Sequence, residues 1–516
     1  MRRSLIAALF AVCAVGGLAR ADLVDDLIAE FKRFYKGNAT PAEKIEAIHV
    51  LDKADRDKAV EALVDAFDDS DFTVRQAAVE VVGAYRAPEC SKWLIDNVIA
   101  PKRGPSSATR AMAAEALGLM GATDAAEPLA GLLAEADPAL IASVCAALGR
   151  LKSITAIPAL TKVLKGAGDA TQIAVIDALG EMKAPEANAA VLPLLDDPRW
   201  QVRVSVAAAL GKLRQKESVQ PLIDRLRKED GRIRDDISKA LLSITTFDLG
   251  IDPDRWQTQW DRVKDRFVVP SDAEVEKARA AFEAAQLRYQ PRGDDFAGIP
   301  TKSTRIIYVI DISGSMEDAI LNKEKFKLQG RTYSSFVKME VVKDELVRTI
   351  QNLNDTVFFN VLGFATEVKP WNKYGLVQAN ILNRNKAIEW IKKLQPIGGA
   401  SQNLKKKAGL SGSAGGGLGR TNTYDALMTA LDAKAAQAGY DTNLGSPVDT
   451  IFLLTDGEPT AGPITEVDRI LSDVRRVVQL RKVTINTVQM GRSENGRVLL
   501  QGLAAQSGGT YIDLGE

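Results

Sequence analysis

Oxygen-bearing side chains gather at three short places in the C-terminal half of this 516-residue chain. Asp311, Ser313 and Ser315 follow directly on the apolar run of Arg305 to Ile310. Thr421 lies at the start of a helical stretch, and Asp456 follows the apolar run Ile451 to Leu454. Two carboxylates and three hydroxyls are hard oxygen donors, suited to one Mg²⁺ or Mn²⁺ ion and poorly matched to copper or zinc. A lone Asp-x-Ser-x-Ser says little. Three such segments in order, each at the end of an apolar run or the start of a helix, say much more.

Catalysis fits the same residues less well. The chain has a single histidine, His49, far from these segments in sequence. A Ser-His-Asp or Cys-His mechanism would need it to reach across domains, and histidine-based zinc catalysis meets the same obstacle. Asp311-Ile312-Ser313 lacks the second aspartate of the aspartyl-nucleophile phosphatases. Residues Ala414 to Thr421 resemble a phosphate loop, but the first glycine is missing and Arg420 stands where lysine belongs. Paired-carboxylate hydrolysis is the remaining catalytic alternative. The expectation is a protein that binds rather than catalyses.

The elements that must position these residues are legible. Arg305 to Ile310, Val357 to Leu362, Ile451 to Leu454, Val483 to Val488 and Thr510 to Leu514 read as strands buried on both faces. Amphipathic helices lie between them, one carrying Val342, Leu346, Ile350 and Leu353. That alternation predicts an α/β, doubly wound (Rossmann-like), mostly parallel sheet. Ligands of such sheets bind beyond the C-terminal strand ends, at the topological switch point.

Together these segments resemble the metal-ion-dependent adhesion site (MIDAS) of von Willebrand factor A (VWA) domains, from about residue 303 to the end. The resemblance implies that Ser313, Ser315 and Thr421 contact the metal, while Asp311 and Asp456 act mainly through water and orient the hydroxyls. It also implies an open metal position for a carboxylate supplied by a protein or surface ligand. Two extensions depart from a compact VWA domain, residues 317–338 and 398–419. The second holds Lys405-Lys406-Lys407 and a Gly/Ser-rich run. Both are expected at the metal-bearing edge, as a rim that selects the ligand or as loops without a role.

The first half repeats. AEALG, CAALG, IDALG and AAALG place Leu117, Leu148, Leu179 and Leu210 at 31-residue intervals, and the next step lands on Leu241. Leu51 and Val82 keep the same interval before an insertion near Pro101 to Pro105. Each period reads as two helices. In the clearest, Asp197 and Pro198 start the first helix, Val202, Val206 and Leu210 form its buried stripe, and Gly211 precedes the turn. Pro221 then opens the second helix, with Leu222 and Leu226 buried. Arg75, Arg110, Arg203 and Arg234 recur seven residues before the key apolar position, and contacts between repeats are their expected role. The pattern resembles bacterial HEAT-like repeats over about 40–245, implying a curved, all-α solenoid. Such an array is a partner-binding surface or a spacer. Trp256 and Trp260 are expected to cap it. Ser271 and Glu274 are expected to open a helix before a linker over 290–302.

The chain is therefore read as multidomain: 1–21 signal peptide, 22–265 repeat solenoid with its cap, 266–302 helix and linker, and 303–516 VWA domain. Arg2-Arg3, an apolar stretch from Leu5 to Leu18 and Ala19-Arg20-Ala21 make the export signal, so a periplasmic or extracellular destination is expected. No later run is long enough to span a membrane. Lys plus Arg equals Asp plus Glu at 67 each, which gives no indication of nucleic acid as a partner. Cys90 and Cys145 fall two repeats apart and read as small core residues rather than a disulfide. The composite expectation is an exported binding protein of adhesion type. The alternative is a scaffold in which the solenoid binds and the VWA domain is structural.

Overall fold

The structure is a computed structural model that describes residues 19–100, 104–287, 295–320, 333–398, 419–432 and 447–514. The chain divides into two compact units, residues 1–163 and 164–516. The residues read as an export signal, 1–21, fall almost wholly outside the described residues. Among the described residues, no helix is long and apolar enough to cross a membrane.

The residues marked by the 31-residue period are core residues in each unit. Leu51, Val82, Leu117, Leu148, Leu179, Leu210 and Leu241 are all fully buried. In the first unit, Phe72–Ala84, Ser107–Met120 and Pro138–Arg150 are first helices of successive repeats. Asp137 caps the last of these by accepting the N–H groups of Ala139 and Leu140 at 2.9 and 3.4 Å, with Pro138 in the first turn. Cys90 and Cys145 are buried thiols. His49 ends the helix Pro41–His49, and its Nδ1 lies 3.0 Å from Asp52.

In the second unit the corresponding helices are Asp169–Met182, Trp200–Leu213 and Ile233–Thr245. Two local expectations change there. The Asp197-Pro198 pair does not open its helix, which starts at Trp200. Asp197 instead accepts the Arg199 N–H at 2.8 Å and pairs with its guanidinium at 2.6 Å. Gly211 lies inside the helix rather than at its end. A Cβ there would stand 3.0 Å from Ala240 Cα, so the glycine lets neighbouring helices approach closely. Gly180 does the same against Ala209, at 2.8 Å.

The recurring arginines are structural clamps. Arg110 reaches Glu135, and Arg203 reaches Glu229 at 2.5 Å and the carbonyl of Asp197 at 2.8 Å. Arg75 donates to the carbonyl of Asp69 at 2.5 Å, and Arg234 to that of Ile251 at 2.7 Å. Trp256 and Trp260 are buried on the helix Pro253–Val263. Ser271 and Glu274 form the expected reciprocal cap at the start of Asp272–Leu287.

Part of the segment read as linker is a hairpin, β1 (Asp295–Phe296) and β2 (Ile299–Pro300). Phe296 is buried against Tyr308 and Phe452, with ring centroids 5.2 and 5.3 Å away. This segment therefore belongs to the core of the sheet domain.

Among the described residues the sheet has seven strands: β3 (Arg305–Asp311), β4 (Phe358–Phe364), β5 (Val368–Pro370), β6 (Val377–Gln378), β7 (Thr450–Thr455), β8 (Thr484–Gln489) and β9 (Tyr511–Asp513). The order is β5-β4-β3-β7-β8-β9, with β6 also on β4. The run from β4 to β9 is parallel, and only β5 and β6 run antiparallel. Alternate residues of β3 enter two separate cores: Ile306, Tyr308 and Ile310 in one, Ile307 and Val309 in the other. Helices Lys338–Asn352 and Ile381–Lys393 cover the first face, and Thr423–Leu431, Val467–Arg481 and Glu494–Ser507 the second.

Within this unit the last repeats meet the edge where the strands start. Arg232 donates to the Lys482 carbonyl and to Thr484 Oγ1, both at 2.5 Å. Lys482 pairs with Asp177 at 2.7 Å, and Lys302 with Asp235 at 3.3 Å.

Candidate metal centre

Chain order makes the site. β3 leads through Lys338–Asn352 to β4 on one side, and the chain later returns as β7 on the other side of β3. The crevice between the ends of β3 and β7 is thus the switch point. Parallel register sets Ile310 beside Leu454, so Asp311, Thr455 and Asp456 emerge together at that edge.

The side chains interlock. Asp311 is fully buried and accepts the Ser313 N–H at 2.7 Å and the Thr455 hydroxyl at 2.5 Å. The Ser315 hydroxyl donates to Asp456 Oδ1 at 2.8 Å, and Ser313 Oγ lies 3.2 Å from Ser315 Oγ. Thr421 arrives from a different loop. Its N–H donates to Thr460 Oγ1 at 2.9 Å, and its carbonyl accepts the Thr460 N–H at 2.9 Å. Thr421, Ser315, Gly314, Gly457 and Glu458 line one open cleft of about 630 Å³. All five residues singled out from sequence therefore reach one edge. Four are directly linked by hydrogen bonds or close oxygen contact, and Thr421 shares the cleft wall.

Buried carboxylate charge dominates the electrostatics at Asp311. Burial, and then the nearby Asp456 carboxylate, push the Asp311 carboxyl up to about 7. A hard divalent ion among these hydroxyls and carboxylates would relieve both causes, so the donor set fits Mg²⁺ or Mn²⁺. Among the described residues no three His, Cys, Asp or Glu side chains form a metal-binding group. A site here would rest on hydroxyls as much as on carboxylates.

Several contributors were not legible in the sequence. Thr455 orients Asp311, and its place beside Asp456 was the available signal. Thr460 clips Thr421, and Asn422 caps the helix Thr423–Leu431. Gly491 lets the chain after β8 pass the loop that carries Asp456, since a Cβ there would fall 1.8 Å from the Asp456 carbonyl oxygen. Lys338 ends the extension over 317–338, and its Nζ lies 2.7 Å from Asp456 Oδ2. Residues 321–332 and 399–418, including Lys405 to Lys407, lie outside the described residues, so the rim expected there has no structural account.

Comparison with known proteins agrees with this architecture. A family model for HEAT repeats matches residues 99–171 and 157–241, and one for the von Willebrand factor type A domain matches 332–409 and 414–513. Thr421 and Asp456 lie inside the second match, and Asp311, Ser313 and Ser315 precede it. Inter alpha-trypsin inhibitor heavy chain 4 of Mus musculus is 28% identical over 180 residues, covering 35% of this chain and 15% of that protein. Human inter-alpha-trypsin inhibitor heavy chain H4 is 28% identical over 184 residues, 36% of this chain and 15% of its own length. Human von Willebrand factor A domain-containing protein 3B is 27% identical over 209 residues, 40% of this chain and 13% of its own. The match thus spans about 15% of the length of the first of these curated relatives.

Proposed function

This chain carries HEAT repeats followed by a von Willebrand factor type A domain, and from that premise we propose that it is an exported, non-enzymatic binding protein. Its ligand is a protein or surface carboxylate, engaged at the edge formed by Asp311, Ser313, Ser315, Thr421 and Asp456. Convergence carries this reading: two carboxylates from adjacent strand ends meet the hydroxyls of one loop at the switch point, beside an open cleft that Ser315 and Thr421 line.

The chain's own residues divide the work. Ser313, Ser315 and Thr421 supply hydroxyl oxygens. Asp456 holds the Ser315 hydroxyl, and Asp311 fixes the loop through the Ser313 N–H. One Mg²⁺ or Mn²⁺ held there would offer an electrophilic position to an incoming carboxylate. Few direct carboxylate contacts keep such a position from being neutralised by the protein itself. The HEAT repeats serve as a second interaction surface or as a spacer. The residues at Arg2-Arg3 to Ala21 support export.

The test is thermal melting of the full mature chain in EDTA and in millimolar Mg²⁺ or Mn²⁺, with Asp311→Ala beside it. A ligand that binds only the folded state adds roughly 2.7 kcal/mol at a hundredfold excess over its dissociation constant. A metal-dependent rise that Asp311→Ala removes is the expected result. An unchanged melting temperature in both proteins would move the function to the repeats, with the VWA domain as a structural module.

A further inference from the structure

We propose that Lys338 is a resident counter-ion of the metal edge: its ammonium holds Asp456 and opposes a divalent ion beside Ser315, so it sets metal affinity. This rests on the metal reading above.

The geometry is specific. Lys338 Nζ lies 2.7 Å from Asp456 Oδ2 and 3.4 Å from the Ser315 carbonyl oxygen. The lysine side chain is 12% exposed and that of Asp456 only 2%, so water screens the pair little. Asp456 is thereby divided between two partners, with Oδ1 holding the Ser315 hydroxyl and Oδ2 holding the ammonium. A cation in that place neutralises the carboxylate and repels a second cation approaching Ser315.

Local structure does not account for a lysine here. Lys338 is the first residue of Lys338–Asn352, and Val337 before it gives no side-chain cap. The N-terminal turn of a helix disfavours positive charge, because its free N–H groups already point outward. The acidic edge, not the helix, therefore holds the ammonium. The backbone is pinned as well. Ala319 pairs with Val337, the Ile320 N–H donates to the Phe336 carbonyl at 2.7 Å, and the Lys338 N–H to the Asp318 carbonyl at 3.0 Å. The metal loop and the helix start are thus joined, and the ammonium moves by side-chain rotation alone. A second acceptor is at hand in Asp318, whose carboxylate is 3.7 Å away and 70% exposed.

The experiment titrates Mn²⁺ into the full mature chain by calorimetry and measures melting in EDTA and in Mn²⁺. The variants are Lys338→Gln, which keeps a donor for Asp456 without the charge, Lys338→Arg, which keeps the charge, and Asp311→Ala. We expect Lys338→Gln to bind Mn²⁺ about tenfold or more tightly, because removing a nearby like charge favours a dication. It should melt lower than the unmodified chain in EDTA and recover in Mn²⁺, whereas Lys338→Arg should gain no affinity. Equal or weaker binding by Lys338→Gln, with the same loss of melting temperature in both conditions, would make Lys338 a structural residue and overturn the proposal. Absence of Asp311-dependent uptake in both the unmodified chain and Lys338→Gln would instead remove the metal reading, and the proposal with it.

Discussion

At the scale of single residues, Asp311 is the position where charge and burial conflict most openly. Its folded-state pKa is raised to about 7 by burial and by Asp456, against about 3.9 in an unfolded chain. The native state therefore holds this proton more tightly than the unfolded state. The resulting stability is fully present below the unfolded value and is lost as pH rises through about 7. In EDTA at pH 8 the ionised carboxylate should weaken the fold, and Asp311→Asn should raise the melting temperature by several degrees. At pH 4 the same substitution should change little, and at either pH it should abolish any gain from Mg²⁺. Equal shifts at pH 4 and pH 8 would mean that the carboxylate is not the source. The five oxygen-bearing residues were legible because each directly follows an apolar run or sits at a helix start, where a doubly wound sheet exposes side chains to ligand. Lys338 was not, since it lies at the end of an extension with no pattern of its own.

At the scale of elements, helix contacts in the repeats depend on missing side chains. Gly118 sits inside Ser107–Met120, where alanine would normally add about 1 kcal/mol of helix stability. A Cβ there would stand 2.9 Å from Ala147 Cα, a backbone atom that cannot turn aside. Gly118→Ala should therefore destabilise the chain by roughly 1–3 kcal/mol. Gly131 lies in Ala126–Leu132 with nothing within 4 Å of such a Cβ. Gly131→Ala should stabilise by about 0.4–1 kcal/mol. Urea unfolding of the two variants distinguishes these cases, and effects of the same sign would count against the close-approach account. The 31-residue period announced the helices. Gly211 was read as a helix end because a single sequence does not distinguish a glycine needed for a turn from one needed for proximity.

At the scale of the second unit, the last repeats and the sheet are joined through Arg232. It donates to the backbone and side chain that precede and open β8, and it faces Asp449, a buried carboxylate that Ser303 also hydrogen-bonds. Arg232→Met should cost about 1–3 kcal/mol, because it removes hydrogen bonds from a charged donor and part of the positive charge that Arg305 also supplies near Asp449. Asp177→Ala removes the partly exposed pair with Lys482 and should cost only about 0.2–1 kcal/mol. Chemical denaturation of both variants tests the difference. Similar small losses would show that Arg232 contributes no more than a surface ion pair.

The sequence by itself determined the features that repeat or alternate. A 31-residue apolar period requires stacked helices, because each repeat must bury its face on the next. Apolar strands alternating with amphipathic helices require a covered parallel sheet, whose strand ends carry the chemistry. Tertiary structure alone decided the contacts between distant positions. Ser315 with Asp456, Lys338 with Asp456 and Thr455 with Asp311 join residues 141, 118 and 144 positions apart. The 295–300 hairpin likewise became core only through Phe296 meeting Tyr308 and Phe452. Local spacing encodes which face of an element is buried. Which charge meets which carboxylate is set by how the elements converge, and no short-range pattern records that.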